Sequence, residues 1–247
     1  MTVNKNMTTS KRKLRWKRIL LKLSGETLSG KGETGLDIAA IQYVAREIRE
    51  IHARGCEVAI VIGGGNFIRG ENLSKMGIDR ATADSMGMLG TIINALALQS
   101  VMESMGMFTR VMSTITAIQV SEPFIRRRAI RHLEKGRVVI FAGGTGNPYF
   151  STDTAATLRA SEIGAQVVLK ATNVDGVYEE DPKKNGNAKL LKNIGPADVV
   201  KRGLKVMDLT AVTLAMENNL PMTVFNVFKK GNLARIIRGE KIGSEIM

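Results

Sequence analysis

Cysteine and aromatic residues are scarce in this chain. Cys56 is the single cysteine among 247 residues, so no internal disulfide can form. A disulfide-stapled secreted domain is therefore excluded, and a reducing compartment is favoured. Aromatic residues make up only 4% of the chain, whereas an all-β sandwich or barrel favours more of them on its pleated surfaces. An all-β fold is therefore disfavoured.

Histidine is also rare, which bears on metal and nucleophilic chemistry. His52 and His132 are the two histidines, and both fall in charged segments that we predict to be helical. Neither has metal-ligand spacing to Cys56 or to a cluster of carboxylates, so we predict no zinc site and no other protein-borne metal site. Cys56 begins a predicted strand and is expected to be a core residue rather than a nucleophile. No serine occupies the centre of a G-x-S-x-G elbow.

Long hydrophobic runs are missing as well. The longest stretch without a charged residue covers residues 85–102 and contains polar positions such as Thr91, Asn94 and Gln99. It is short for a bilayer span, and we expect a buried helix there. The start of the chain is polar and then basic, without the apolar segment of a secretory signal. These absences predict a soluble, cytoplasmic protein that has no membrane partner.

Positive charge is the main compositional excess. The chain has 36 Lys and Arg residues against 23 Asp and Glu residues, a net charge of +13 and a pI near 10.0. Such a balance suggests a nucleic-acid partner, but the two basic clusters, at residues 11–18 and 126–131, contain only one aromatic side chain, Trp16. The second cluster lies on the polar face of an amphipathic helix. We therefore favour solvated surface charge and a small polyanionic substrate such as a nucleotide, and a nucleotide-sensing DNA-binding regulator stays open as an alternative.

The apolar pattern alternates between short runs and helical repeats, with 44% apolar residues in total. Strands are predicted at residues 18–22, 58–62, 110–113, 138–141, 167–170 and 222–225. Helices are predicted at residues 38–51, 85–102, 122–135, 153–163 and 208–218, and after Gly231. Asp37 is the expected cap of the first helix and Gly55 its stop, and turns at 175–176 and 185–186 bracket a hairpin. This alternation predicts an α/β fold with a largely parallel sheet covered by helices on both sides. We expect one domain over residues 17–247, after a flexible basic tail over residues 1–16.

Three glycine-rich turns follow the carboxyl ends of predicted strands, where open α/β sheets bind ligands. They cover residues 22–26, 63–69 and 143–153. Glycine lets backbone N–H groups approach an anion without interference from a Cβ atom. Any one of these segments could be a simple tight turn. Three of them at one sheet edge, flanked by Lys22, Arg69 and Asp153, favour a phosphate site.

Two common phosphate-binding fingerprints do not fit. Residues 25–32 nearly match the P-loop pattern, but Gly32 stands where Ser or Thr would bind Mg²⁺, and Gly35 separates the lysine from the next helix. The dinucleotide fingerprint fails because Ile68 occupies its third glycine position. Neither a P-loop nor a dinucleotide site is therefore predicted.

Several motifs in sequence order carry a specific resemblance. They are Lys-Leu-Ser-Gly-Glu at 22–26, Gly-Gly-Gly-Asn at 63–66, Arg-Gly at 69–70, Asp-x-Met-Gly-Met at 84–88, Gly-Thr-Gly-Asn-Pro at 144–148, Lys-Ala-Thr-Asn-Val-Asp-Gly-Val at 170–177 and Lys-Val-Met-Asp at 205–208. From about Lys17 onwards, the chain resembles the bacterial uridylate kinases of the amino acid kinase superfamily. The resemblance implies a three-layer αβα sandwich with a largely parallel central sheet. It also implies transfer of the ATP γ-phosphoryl group to UMP in pyrimidine nucleotide biosynthesis, and another kinase of the superfamily is the main alternative.

The same resemblance implies roles for individual residues. The catalytic residues would be Lys22, Arg69 and Asp153. The ATP-binding residues would be Lys22, Leu23, Ser24, Gly25, Gly65, Arg69, Thr172, Asn173, Tyr178 and Asp181. The UMP-binding residues would be Gly64, Asp84, Thr145, Gly146, Asn147, Pro148, Tyr149, Phe150, Ser151 and Thr152. A region tied to GTP regulation corresponds to Gly30, Lys31, Gly32, Glu33, Thr34 and Gly35. The resemblance further implies Mg²⁺ bound with ATP, activation by GTP, inhibition by UTP and a homohexamer.

The chemistry of these residues agrees with those roles. Phosphoryl transfer needs positioning and charge stabilisation more than covalent chemistry, and Lys22 and Arg69 can neutralise the γ-phosphoryl oxygens. Asp153 would orient Lys22 or contact the water shell of Mg²⁺. Asp84 would accept a hydrogen bond from a ribose hydroxyl, although either carboxylate could instead be an ordinary helix cap. The loop at residues 144–152 carries no charged side chain, which suits uracil and ribose better than an amino-acid carboxylate.

The uncharged helix predicted at residues 85–102 bears on assembly. It is apolar nearly all round, so both of its sides need cover. The sheet can cover one side, and a second subunit is the simplest cover for the other. The sequence therefore predicts a dimer built on this helix as the unit of the hexamer.

Overall fold

The computed structural model describes residues 14–30, 34–68, 77–180, 182, 184–204 and 207–247. Nine strands within these residues form one sheet. In spatial order they are β4 (Glu122–Pro123), β3 (Thr109–Ser113), β5 (Val138–Ala142), β2 (Glu57–Ile62), β1 (Arg18–Leu23), β6 (Val168–Thr172), β10 (Met222–Asn226), β11 (Ser244–Ile246) and β9 (Asn193–Ile194). Neighbouring strands are parallel except β10 and β11, which are antiparallel. Two further strands, β7 (Val177–Tyr178) and β8 (Leu190–Leu191), form the predicted hairpin.

Helices cover both faces of the sheet. In the described residues they are α1 (Ile38–His52), α2 (Arg80–Ser104), α3 (Arg126–Glu134), α4 (Thr152–Ile163), α5 (Pro196–Lys201), α6 (Leu209–Glu217) and α7 (Asn232–Ile237), with a 3₁₀ turn at Gly25–Leu28. Strand β1 separates the two cores, because successive side chains of a strand point to opposite faces. Leu21 packs into the cluster with α1, α2 and α7, whereas Leu20 packs into the cluster with α3 to α6. The predicted three-layer αβα fold is confirmed.

Local signals in the sequence account for several of these elements. The apolar run of β2 is buried on both faces, as expected for a central parallel strand. The Asp37 side chain caps α1 by accepting a 2.7 Å hydrogen bond from the Ala40 backbone N–H, as predicted. Helix α1 ends at His52, and Gly55 follows with a φ of +89°, a conformation that glycine adopts without strain. The predicted start and stop of this helix are therefore confirmed to within a few residues.

The helix predicted over residues 122–135 starts later than expected. Glu122 and Pro123 instead form the edge strand β4, in which Glu122 is opposite Met112 of β3. Proline disfavours helical geometry in the residue before it and is tolerated at sheet edges. Helix α3 begins only at Arg126, and its arginines 126, 127, 128 and 131 are exposed, as predicted for a solvated face.

Helix α2 is longer than the predicted uncharged segment. It starts at Arg80, after Asp79 accepts a hydrogen bond from the Thr82 backbone N–H at 3.1 Å. By length and composition this helix could cross a membrane, but one face packs in the core, where Leu98 is fully buried. On the other face, Leu89 and Ile93 are 51% and 48% exposed. The prediction of a buried helix is therefore confirmed for one face of α2.

The predicted basic tail covers residues 1–16, of which 1–13 lie outside the described residues. Trp16 is buried at the edge of the core, and Arg15 forms an ion pair with Glu245 of β11. The last residues of the predicted tail therefore pack against the domain.

Candidate active site

Among the described residues, clefts open at the sheet edge where the parallel strands end, and three of them contain predicted site residues. The loops after β1, β2, β5 and β6 all emerge there, because the carboxyl ends of parallel strands lie on the same side. The central cleft has a volume of about 470 Å³. Its walls include Lys22 of β1, Ser24 after β1, Thr27 of the 3₁₀ turn, and Lys170 and Thr172 of β6. This edge is where the sequence predicts the ligand.

An ion cluster of Lys22, Lys170 and Asp153 lies at this edge. Lys22 Nζ is 2.9 Å from Asp153 Oδ1, and Lys170 Nζ donates a 2.6 Å hydrogen bond to Asp153 Oδ2. The two lysines are opposite each other on β1 and β6, and Asp153 lies in the first turn of α4. Their side chains are 12–13% exposed. Both ammonium groups line the central cleft, where they can attract phosphate.

The protonation states of the cluster follow from this geometry. Burial opposes the ionisation of Asp153, but Lys22 and Lys170 outweigh it and hold the pKa of Asp153 below its ordinary value. Burial lowers the pKa of Lys170, and Asp153 partly offsets that effect while Lys22 adds to it. Asp153 is therefore a carboxylate at neutral pH and cannot serve as an acid.

A second cleft, of about 530 Å³, adjoins the central cleft through Lys170, Thr172 and Asn173. The hairpin β7–β8 contributes Val177 and Tyr178 to its wall, and Val224 of β10 adds an apolar surface. Three of the residues predicted to hold the base and ribose of ATP, namely Thr172, Asn173 and Tyr178, are thus brought together.

The third cleft, of about 280 Å³, lies on the other side, between α2 and the loop after β5. The predicted UMP-binding residues in its wall are Gly64, Asp84, Thr145, Asn147, Phe150, Ser151 and Thr152. Gly146, Pro148 and Tyr149 belong to the same loop but not to the wall. Tyr149 has a φ of +71°, and its backbone N–H donates a 2.7 Å hydrogen bond to Asp84 Oδ2. Asp84 therefore holds this loop in an otherwise unfavourable backbone conformation.

The glycine-rich loops pack too closely for side chains. A Cβ atom at Gly25 would lie 2.3 Å from Asn66 Oδ1 and 2.8 Å from the Gly63 carbonyl oxygen. A Cβ atom at Gly64 would lie 2.3 Å from the Gly87 carbonyl oxygen of α2. Glycine at these two positions lets the loops after β1 and β2 touch each other and lets the second loop rest on α2.

The fold and the clefts agree with a match found by comparison with known families. Residues 17–226 match the sequence profile of the amino acid kinase family. The chain belongs to this family.

Relatives of this amino acid kinase share most of its length. The chloroplastic uridylate kinase PUMPKIN of Arabidopsis thaliana is 55% identical over 239 residues, which cover 96% of this chain and 70% of that protein. The crystal structure of UMP kinase from Bacillus anthracis superimposes with a TM-score of 0.91 at 43% identity, covering 94% of this chain and 96% of that one. The UMP kinase of Ureaplasma parvum gives a TM-score of 0.88 at 37% identity, covering 94% and 99%.

Some predicted site residues of this amino acid kinase have other placements. Leu23 is fully buried in the core, so only its backbone faces the edge. Gly35 donates a 2.9 Å backbone hydrogen bond to the Asn66 carbonyl oxygen, which ties the predicted GTP region to the loop after β2. Five predicted site residues lie outside the described residues, namely Lys31, Gly32, Glu33, Arg69 and Asp181. The roles of these five stay predictions.

Among the site residues that were not predicted are Lys170 and Asp208. Lys170 lies in the ion cluster, and the signal for it was its position near the end of a predicted strand. Asp208 caps α6 and also accepts hydrogen bonds from Ser151 and, at 2.8 Å, from Thr154 Oγ1. Ser151 in turn caps α4, where it accepts the Asp153 N–H at 3.0 Å. Asp208 thereby fixes the turn that carries Asp153.

Within the described residues, no group of three or more His, Cys, Asp or Glu side chains is arranged to hold a metal ion. Cys56 is buried, and burial raises the pKa of its thiol to about 12. It is a core residue, as predicted, and is protonated at neutral pH.

Proposed function

We propose that this amino acid kinase transfers the γ-phosphoryl group of ATP to UMP, giving UDP. The observation that supports it best is the ion cluster. Lys170 lines both the central and the second cleft, and Asp153 directly follows Thr152 of the third cleft. The relatives named as uridylate or UMP kinases support the same reaction. Neither the fold nor these relatives favour a DNA-binding regulator.

The proposed transfer step depends on charge and position. Lys22 and Lys170 present two ammonium groups side by side, which can neutralise the oxygens of the transferred phosphoryl group as charge spreads over them. The acceptor is a phosphate oxygen of UMP. Because the second pKa of such a phosphate is about 6, it is largely ionised at neutral pH and no general base is required. Asp153 holds the two ammonium groups at a fixed separation.

Mg²⁺ is expected to enter with ATP. Mg²⁺ keeps several waters and takes most of its other ligands from nucleotide phosphates, which fits a site whose described residues offer one buried carboxylate, Asp153, and no carboxylate cluster. Asp153 would hold the ion through its water shell. The bound ion would supply further neutralisation of the phosphate charge.

The third cleft is proposed to bind UMP. Asp84 would accept a hydrogen bond from a ribose hydroxyl, and Thr145 and Asn147 would offer hydroxyl and amide groups to uracil. A carboxylate substrate would instead need an arginine or lysine, and residues 144–152 include neither. The cleft therefore suits a neutral base better than carbamate or an acylated amino acid.

Regulation, assembly and location are further proposals. We propose activation by GTP through residues 30–35, inhibition by UTP, and a homohexamer built from dimers. UTP shares its uracil and ribose with UMP, so the third cleft is its expected binding place. A cytoplasmic location stays a prediction, because the Arabidopsis relative is named as chloroplastic.

An assay of ADP release with UMP, CMP, carbamate and acetylglutamate tests the proposed function. UMP should be the preferred acceptor. CMP carries an amino donor where UMP has a carbonyl acceptor, so a donor in the pocket would face another donor, a mismatch that can cost a factor of about 10⁴ in kcat/KM. Comparable kcat/KM values for UMP and CMP would contradict recognition of the base. Turnover with carbamate or acetylglutamate alone would overturn the proposed function.

A further inference from the structure

Three polar side chains form a stripe along the mostly apolar helix α2. Asp84, Thr91 and Asn94 are seven and three residues apart, a spacing that places them on one helix face. Thr91 and Asn94 are 4% and 0% exposed, and burial of a polar group is costly unless the group is hydrogen-bonded. Each side chain of the stripe bonds the backbone of a loop at the site. The backbone partners are Tyr149, Gly143 and Gly63.

Asn94 holds the loop after β2. Its Nδ2 donates to the Gly63 carbonyl oxygen and to Asn66 Oδ1, both at 2.7 Å. Asn66 returns a hydrogen bond from its Nδ2 to Asn94 Oδ1 at 3.0 Å and gives a second to the Gly35 carbonyl oxygen at 2.7 Å. All four amide N–H groups of the pair are therefore used, and Asn66 is fully buried. The hydrogen bonds of Asn94 thus fix the loop that contains Gly64 and Gly65 to α2.

Thr91 holds the loop after β5. Its hydroxyl accepts a 2.7 Å hydrogen bond from the Gly143 N–H and donates to the Met88 carbonyl oxygen at 2.6 Å. Gly143 has a φ of +78°, so the chain turns sharply there before it reaches Thr145. The hydroxyl of Thr91 fixes where that turn begins.

We propose that Thr91 and Asn94 are positioning residues for phosphoryl transfer, because they hold the loops on the two sides of the third cleft at a fixed separation. The inference rests on the proposed function, in which the third cleft, lined by Gly64, Gly65 and Thr145, binds the acceptor. Neither Thr91 nor Asn94 needs to touch the transferred group. A loop displaced by about 1 Å would lose alignment of the reacting atoms, which costs about 10²-fold in rate.

The test compares Thr91→Val and Thr91→Ser with Asn94→Leu in the whole 247-residue chain. Valine keeps the volume of threonine but leaves the Gly143 N–H without its partner, whereas serine keeps the hydroxyl. We expect Thr91→Val and Asn94→Leu to lower kcat by about 10- to 100-fold while KM for ATP and UMP changes by less than about threefold. Thr91→Ser should stay within about threefold of the wild type. Gln99→Leu is the control, since Gln99 is an amide of the same helix that bonds the Thr109 carbonyl oxygen instead.

Hydrogen exchange at Gly143 provides a readout that does not depend on turnover. Exchange should be faster in Thr91→Val than in the wild type or Thr91→Ser. Wild-type kcat in a folded Thr91→Val variant, or an equal loss in Thr91→Ser, would overturn the inference. If the wild type fails to phosphorylate UMP, the proposed function is wrong. Unchanged hydrogen exchange at Gly143 in Thr91→Val would reject the positioning role independently of that result. If Asn94→Leu does not fold, the Thr91 pair decides the question.

Discussion

The ammonium groups of Lys22 and Lys170 both form ion pairs with the Asp153 carboxylate. We expect the loss of Lys22 to affect turnover more than folding. Lys22→Ala removes a cation from the place where charge develops, so kcat should fall by about 10²-fold or more. The melting temperature should fall less than in Asp153→Asn, because Lys170 still pairs with Asp153 at 2.6 Å when Lys22 is removed. Lys17→Ala is a matched control, since the Lys17 side chain is 76% exposed on the surface. Near-normal turnover in folded Lys22→Ala would reject the role.

Asp153 should link the stability of the fold to pH. Its folded-state pKa lies below the unfolded value of about 3.9. Ionised Asp153 therefore stabilises the fold above about pH 4, and this contribution is lost as the pH falls through the folded-state pKa. Asp153→Asn leaves two partly buried lysines without their anion, so it should lower the free energy of unfolding at pH 7 by about 3 kcal/mol.

Urea unfolding of both proteins between pH 7 and pH 3 measures this linkage. The difference between wild type and Asp153→Asn should shrink below pH 4. Glu50→Gln is the control, because the Glu50 ion pair with Arg54 is exposed and contributes little. A difference that is constant over the whole pH range would show that Asp153 acts through packing alone.

Lys22 and Asp153 could be predicted as site residues from the sequence, but their partners could not. Lys22 ends a predicted strand, Asp153 begins a predicted helix, and both flank glycine-rich turns. Lys170 joins them only because β1 and β6 are neighbours in a register that sets Lys22 opposite Lys170, and register between distant strands cannot be read from local patterns. Asp208 was missed because its hydrogen-bond partners Ser151 and Thr154 are 57 and 54 residues away in the chain.

Long apolar runs and caps made most elements predictable, and short edge elements were not. The runs of β2 and β5 and the cap at Asp37 are local signals. Strands β4, β9 and β11 are two or three residues long and exist because a neighbouring strand of the sheet supplies their hydrogen bonds. Helix α5 also lacks a long apolar period, because only Val199 among its six residues is buried.

The outer face of α2 supports the predicted dimer. Leu89 and Ile93 lie on this face, about half exposed, and a subunit interface would remove them from water. Analytical ultracentrifugation at micromolar concentration should show dimers or larger assemblies for the wild type. Ile93→Glu should shift them towards monomers, because a carboxylate buried in an apolar interface is costly. Ile118→Glu is the control, since Ile118 is exposed outside α2. Only monomers in the wild type would contradict the prediction.

At the scale of the whole molecule, the sheet consists of two sequence-contiguous halves that meet between β1 and β6. Strands β1 to β5 form one half and β6, β9, β10 and β11 the other. Lys22 belongs to the first half and Lys170 to the second. The ion cluster therefore exists only when the two halves are joined.

The boundary between β1 and β6 has a consequence for the order of events in folding. The first half can pair its own strands, but one edge of β1 stays open until β6 has been synthesised, and an open edge can pair with other chains. Pairing between strands distant in sequence is slow, because the chain loses loop-closure entropy before the new contacts stabilise it. During refolding, pulsed hydrogen exchange should show amides of β2 and β5 protected before those of β6, and kinase activity should return with β6. Protection of all these strands at the same time would show that the pairing of β1 with β6 is not a late step. If β6 joins the sheet last, catalytic competence is the last property that the newly made chain acquires.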